Sequence, residues 1–100
     1  MMITGPQCRA ARALVEFSRD RLAQLSGIEA ATIEQFERKL GTPTGEQIQA
    51  LANALEKAGA QFIPENGGGV GVRLKFNRSE TKRIANLENE GGPTASDEVP

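Results

Sequence analysis

The chain has 100 residues, of which 38% are hydrophobic and 25% charged, and this composition is typical of one small globular domain. It contains one cysteine, Cys8, and no histidine, tyrosine or tryptophan, which excludes an internal disulfide, a histidine-based metal site and a Ser-His-Asp triad. We therefore expect no enzymatic activity and no cofactor. Because no apolar run is long enough to cross a membrane and the N-terminal residues do not resemble a signal peptide, we expect a cytoplasmic protein.

The formal net charge of −1 conceals an uneven distribution along the chain. Residues 1–60 carry seven basic and seven acidic side chains, residues 61–83 carry five and two, and residues 84–100 carry none and four. The negative total therefore comes from the C-terminal end. It does not exclude a nucleic-acid partner for the rest of the chain, because an anionic partner meets the charge of one segment and not the total.

Two helices are predicted from the signals at their ends. A capping box at residues 4–7 (TGPQ), with proline in the first turn, predicts a helix over residues 5–16. Ser18 is a favourable N-cap, and Gly27 is a favourable residue just beyond a helix end. These two residues predict a second helix that begins at residue 19 and ends at residue 25 or 26.

Two further helices are predicted from the spacing of apolar residues. The third covers residues 30–38 and turns Ile33 and Phe36 inward. Gly41-Thr42-Pro43 then breaks the chain, and a second capping box at residues 44–47 begins the fourth helix. The residues of the fourth helix that share one apolar face are Ile48, Leu51, Leu55 and Ala58.

Beyond Gly59 the spacing becomes that of β-strands. Residues 61–64 form a short extended run, residues 65–69 form a turn, and an alternating strand follows, which together predict a β-hairpin. The apolar face of this hairpin packs on the chain's own helices or on a second copy of the chain. In the second case the dimer interface consists of Val70, Val72, Leu74 and Phe76.

The sequence thus divides into three parts. Residues 1–59 form a helical domain, and residues 60–76 form the hairpin extension, a candidate dimerisation element. Residues 77–100 are predicted to be a flexible, partly disordered acidic tail, with at most a weak helix over residues 77–88.

The second helix, the turn at Gly27 and the third helix form a helix-turn-helix pattern. Here the sequence resembles the XRE family, the Cro and lambda-repressor type of DNA-binding domain. The resemblance implies a mainly α fold, in which a lambda-repressor-like helix-turn-helix domain of four to five short helices is followed by a C-terminal β-hairpin. The residues that carry the resemblance are Arg12, Ser18, Leu22, Ala23, Gly27, Ile28, residues 32–37, Pro43, Ile48, Leu51 and Leu55.

The resemblance also implies a function and roles for individual residues. It implies a bacterial-type transcriptional regulator that binds double-stranded DNA as a homodimer, with the third helix in the major groove. Arg12 and Glu37 match an internal ion pair of the family, which is structural. The implied base-reading residues are Ala31, Thr32 and Gln35. The implied phosphate-binding residues are Arg19, Arg38, Lys39, Thr42 and Thr44.

Several residues depart from the family pattern and leave other interpretations open. Arg19 stands where the family usually has glutamine, and Lys39 replaces a frequent glycine. Ala30 and Ala31 replace longer polar residues, and Glu29 replaces the usual serine or threonine cap. These departures favour an alternative, a protein-binding regulator on the same fold, such as an antitoxin or an antiactivator, with weak or partner-dependent DNA binding. A plain helical bundle whose turn merely resembles the motif is a further alternative.

Overall fold

Four helices followed by one antiparallel hairpin make up residues 2–75, which are the residues that the computed structural model describes. The mainly helical architecture with a small hairpin agrees with the prediction from the sequence. The predictions for Phe76, for the weak helix and for the acidic tail lie outside the described residues. The elements are α1 (Gly5–Val15), α2 (Arg19–Ser26), α3 (Ala30–Glu37), α4 (Gly45–Lys57), β1 (Ala60–Ile63) and β2 (Gly71–Leu74).

The helices begin where the capping signals predict. The Thr4 side chain accepts a hydrogen bond from the Gln7 backbone at 3.2 Å, and the Gln7 side chain accepts one from the Thr4 backbone at 2.9 Å. Thr44 and Gln47 form the same reciprocal pair at the start of α4, at 3.1 and 3.0 Å. Each pair satisfies two backbone N–H groups that the first helical turn otherwise leaves without a partner.

Two helices end one residue earlier than predicted. Helix α1 ends at Val15 because Glu16 adopts a left-handed conformation, with φ 60°. Helix α3 ends at Glu37, and Lys39, two residues later, has φ 61°. A left-handed residue cannot continue a right-handed helix, and non-glycine residues rarely adopt this conformation.

The core lies between the four helices and is closed at one end by the hairpin. Its largest fully buried side chains are those of Leu22, Ile33, Leu51, Leu55 and Cys8. Burying a leucine or isoleucine side chain stabilises a fold by roughly 1.5–3 kcal/mol relative to leaving it exposed. Cys8 lies among these residues, as expected of a small core residue.

The hairpin packs its apolar face on its own chain. Ala60 and Phe62 of β1 are buried, and in the strand register they pair with Leu74 and Val72 of β2. Val72 is partly buried and packs against the core, so at this residue the hairpin covers its own helices. Val70 lies one residue before β2 and is 47% exposed, which corrects its predicted place in the strand.

The buried side chain of Gln7 ties α1 to the hairpin. Its Nε2 donates hydrogen bonds to the backbone oxygens of Ile63, at 3.3 Å, and Gly71, at 2.8 Å. Because its Oε1 accepts from Thr4, the buried amide has partners for both of its polar atoms. The sequence predicts the capping role of Gln7 but gives no sign of its contact with the strands. Within residues 2–75, no helix is long and apolar enough to span a membrane.

Candidate nucleic-acid interface

A short turn joins α2 to α3. Gly27 ends α2 with φ 78°, and its N–H donates to the Ala23 carbonyl. The Ser26 hydroxyl then accepts a hydrogen bond from the Ile28 N–H at 3.2 Å, and Ile28 packs against the core. Glycine favours this turn because the left-handed conformation costs it nothing. The turn lets α2 and α3 pack against each other as a unit.

Helix α3 is held by one face and exposes the other. Ile33, Phe36 and Glu37 are buried. Since successive residues are about 100° apart on a helix, Ala31 and Gln35 lie on the opposite side, and both are exposed. Of the three residues that the resemblance implies for base reading, Thr32 alone is half-buried and lies at the edge of this face.

An open cleft of about 550 Å³ separates the N-terminal ends of α2 and α3. Ala30 and Ala31 form part of its lining because their small side chains leave space between the helices. The other lining residues are Arg12, Ser18, Arg19, Asp20 and Glu34. The cleft opens beside the exposed face of α3 and carries both signs of charge.

The carboxylate of Glu37 is the centre of a buried polar cluster beneath this surface. Its side chain is 0% exposed and receives two hydrogen bonds from Arg12, both at 2.8 Å. These two residues are the pair that the resemblance implies. The structure adds two donors that the sequence analysis missed, Arg19 Nε at 3.3 Å and Cys8 Sγ at 3.4 Å. No spacing rule could have found them, because the four residues lie on three different helices.

The polar cluster keeps its ionic pair charged and its thiol neutral. Burial raises the pKa of Cys8 to about 12, and the neighbouring Glu37 carboxylate adds to this effect. Burial alone would raise the pKa of Glu37, but hydrogen bonds and charge from Arg12, helped by Cys8 and Arg19, lower it overall. The hydrogen bond to Glu37 raises the pKa of Arg12. The thiol is therefore a hydrogen-bond donor to the carboxylate, not a nucleophile.

The residues implied for phosphate binding fall into two groups. Arg19 contacts Glu37, and Arg38 contacts the Glu34 carboxylate at 3.1 Å, so both arginines have acidic partners. The other three lie on the loop between α3 and α4 and are exposed; they are Lys39, Thr42 and Thr44. The Thr44 hydroxyl also caps α4.

Glu29 places a carboxylate without a capping role at the start of α3. It is the N-cap residue, but its side chain makes no capping hydrogen bond. Arg19 contacts Glu37 instead, and Arg21 lies over the Phe17 ring at 5.9 Å, so within residues 2–75 neither arginine pairs with Glu29. An anionic partner that approaches α3 would meet this carboxylate.

Neither a scan against protein-family models nor a search of curated proteins finds a match to this chain. Among residues 2–75, no group of three or more cysteine, aspartate or glutamate side chains is arranged to hold a metal ion.

Proposed function

We propose that this protein is a sequence-specific transcriptional regulator that binds double-stranded DNA by placing α3 in the major groove. The observation that carries the proposal is that α3 is fixed from its buried side while Ala31 and Gln35 are exposed on the other. An α-helix with its side chains is about 10–12 Å wide, and the major groove of B-DNA is about 12 Å wide. A rigidly held helix with one exposed face is therefore suited to contacting base edges.

The loop that follows α3 supplies groups for the DNA backbone. Lys39 and Thr42 are exposed there, next to the C-terminal end of the helix. A lysine that neutralises a phosphate displaces condensed counterions, so the affinity for DNA falls as the salt concentration rises. The logarithm of the binding constant falls with the logarithm of the salt concentration with a slope of about −0.9 per phosphate neutralised. Such contacts position the protein and add affinity for every sequence, whereas the contacts of α3 select the sequence.

We further propose that the protein acts as a homodimer on a two-fold site, with half-sites about one helical turn of DNA apart. Two half-sites compensate for the few polar groups that each copy of α3 offers. Val70 is 47% exposed, one residue before β2, and supports a dimer contact at this end of the hairpin. Val72 packs on its own chain and contributes less to such a contact.

The base-reading role of Gln35 is tested by replacing it with alanine. DNA is first selected from a pool of random duplexes, and its affinity for the wild type and the variant is then compared in gel shifts. We expect Gln35→Ala to lose about tenfold or more in affinity for the selected sequence, since a well-placed amide–base pair discriminates by about 1–3 kcal/mol. The affinity for random DNA should change little.

Gln61→Ala is the matched control, because Gln61 is an exposed glutamine on the hairpin. It should bind both kinds of DNA like the wild type. The base-reading role is wrong if Gln35→Ala and Gln61→Ala cannot be distinguished on the selected sequence. If the wild type selects no DNA at all, the proposed function is wrong as a whole.

Lys39 offers a test in which stability and binding should move in opposite directions. Its φ of 61° is a conformation that costs a non-glycine residue roughly 1–2 kcal/mol. Lys39→Gly should therefore raise the free energy of unfolding by about 1 kcal/mol, after the entropic cost of glycine. It should also weaken binding to selected and random DNA alike, because one phosphate contact is lost.

Glu16→Gly is the control for Lys39→Gly, since Glu16 ends α1 with φ 60°. It should stabilise the protein by a similar amount without weakening DNA binding. Urea unfolding and gel shifts over a range of salt concentrations measure the two effects. Equal binding by both variants would contradict a role for Lys39 at the DNA backbone.

A protein-binding regulator on the same fold is the second candidate function. One observation favours it: the two arginines that line the cleft, Arg12 and Arg19, and Arg38 at the end of α3 already contact carboxylates, which lowers their attraction for phosphates. Ala30 and Ala31 add no hydrogen-bonding group. A pulldown from a cell extract, run beside the DNA selection, separates the candidates. A specific protein partner without any selected DNA would favour the second.

A further inference from the structure

The exposed face of α3 presents three different chemical groups in a row. Ala31 and Gln35 are one turn apart, and Arg38 lies three residues further along. A methyl group contacts the C5-methyl of thymine, an amide pairs with the N6 and N7 edge of adenine, and a guanidinium pairs with the O6 and N7 edge of guanine. Which bases α3 prefers therefore depends on which of these groups is free to act.

The side chain of Gln35 lies in a space that Gly41 leaves open. A Cβ atom built on Gly41 would stand 3.2 Å from Gln35 Oε1 and 3.5 Å from Gln35 Cβ. The Gly41 N–H also donates to the Gln35 backbone oxygen at 3.3 Å. The loop after α3 thus borders the glutamine and limits the directions that its amide can take.

The guanidinium of Arg38, in contrast to the amide of Gln35, already has an ionic partner. Its Nη1 contacts Glu34 Oε2 at 3.1 Å across one turn of α3, on the solvent side of the helix. Guanine presents two acceptor atoms, and any acceptor brought to Arg38 also approaches the Glu34 carboxylate, which repels it. If Arg38 left Glu34 to bind guanine, the carboxylate would lose its cation and would lie close to the O6 and N7 acceptors of that guanine.

We propose that Glu34 is a specificity-determining residue: by holding Arg38, it biases α3 toward A·T base pairs, which Ala31 and Gln35 contact. The proposal rests on the proposed DNA-binding function and adds the class of sequence that is bound. The half-site then contains a thymine whose methyl group meets Ala31 and an adjacent A·T pair whose adenine meets Gln35. Glu34 acts through Arg38 and does not itself touch the DNA.

Two measurements test this proposal. In the first, DNA is selected from random duplexes, and each thymine of the selected half-site is replaced in turn by deoxyuridine, which lacks the C5-methyl group. We expect A·T pairs at the contacted positions and a loss of about threefold to tenfold in affinity at one thymine. In the second, the selection is repeated with Glu34→Gln, which should admit a G·C pair and prefer it by about fivefold or more at one position.

Glu56→Gln is the matched control, because it removes the same charge from an exposed position on α4. It should raise affinity for all DNA slightly and leave the base preference unchanged. The double variant Glu34→Gln/Arg38→Ala should lose the new preference for G·C if Arg38 is the residue released. Circular dichroism checks that each variant is folded.

The outcomes separate this inference from the function on which it rests. The inference is overturned if the wild type selects a guanine that Arg38→Ala no longer selects, if no deoxyuridine substitution matters, or if Glu34→Gln behaves like Glu56→Gln. The proposed function survives each of these results. If no duplex is retained by the wild type under any condition, the proposed function fails, and the inference fails with it.

Discussion

Gly5→Ala should lower the free energy of unfolding by about 3 kcal/mol or more, because it places a side chain where two backbones already touch. A Cβ atom on Gly5 would overlap the Phe36 carbonyl oxygen and stand 2.9 Å from the carbonyl carbon and 3.2 Å from Glu37 Cα. No rotamer can relieve this overlap, since a Cβ atom has a fixed position on its backbone. The start of α1 must therefore move away from the end of α3, which disturbs the Arg12–Glu37 pair.

The matched control is Gly45→Ala. Gly5 and Gly45 are both the first residue of a helix that follows a threonine capping box. A Cβ atom on Gly45 would meet only the end of the flexible Met2 side chain, at 3.4 Å, so stability should change by less than about 0.5 kcal/mol. Thermal unfolding measures the stability of both variants, since a change of 1 kcal/mol shifts the unfolding midpoint by roughly 4–8 °C in a domain of this size. Equal midpoints for the two variants would contradict the close approach at Gly5.

Glu37→Gln should destabilise the protein by about 3 kcal/mol at neutral pH, because it leaves Arg12 without its charged partner. The side chain of Arg12 is 15% exposed and makes both of its contacts with Glu37 at 2.8 Å. An amide of the same shape must direct an N–H group at one of the donors around it, Arg12, Arg19 or Cys8. Urea unfolding at constant pH gives the difference in the free energy of unfolding.

The effect of Glu37→Gln should depend on pH. The pKa of Glu37 is lower in the folded protein than in the unfolded chain, where it is about 4.3. A depressed folded pKa contributes stability that is complete above the unfolded value and is lost as pH falls through the folded value. The difference between wild type and variant should therefore shrink in acid. A difference that stays constant from neutral pH to about pH 3 would contradict this ionic role.

Glu34→Gln is the control for Glu37→Gln, since it removes a carboxylate one turn earlier on the same helix. The Glu34–Arg38 pair has side chains that are 44% and 55% exposed, and exposed ion pairs stabilise proteins by about 0–1 kcal/mol. Glu34→Gln should therefore lower the free energy of unfolding only slightly at neutral pH. A cost as large as that of Glu37→Gln would mean that burial is not what gives the Glu37 cluster its strength.

Short-range signals in the sequence predict most of the secondary structure. Thr4 and Thr44 fix the starts of α1 and α4 through bonds that span three residues, and Gly27 ends α2 through its own conformational freedom. The two small errors at helix ends, at Glu16 and Arg38, arise at or next to a left-handed residue, Glu16 itself and Lys39, and local sequence gives no warning of a conformation that is rare for these residue types.

The candidate site is only partly predictable from the sequence. Periodicity places Gln35 on the exposed face of α3, because Ile33 and Phe36 must face the core. The resemblance implies the Arg12–Glu37 pair, which the structure brings together. The resemblance does not imply that Arg19 also donates a hydrogen bond to the Glu37 carboxylate.

By itself, the sequence determines the kind and order of the elements, since capping, turn and periodicity signals act over a few residues. Only the tertiary structure decides how these elements meet. Gly5 against Phe36, Gln7 against the two strands, and Cys8 and Arg19 against Glu37 all join residues that are distant along the chain. Such contacts depend on the packing of whole helices. The residues adjacent in the sequence to a side chain that makes such a contact therefore do not reveal it.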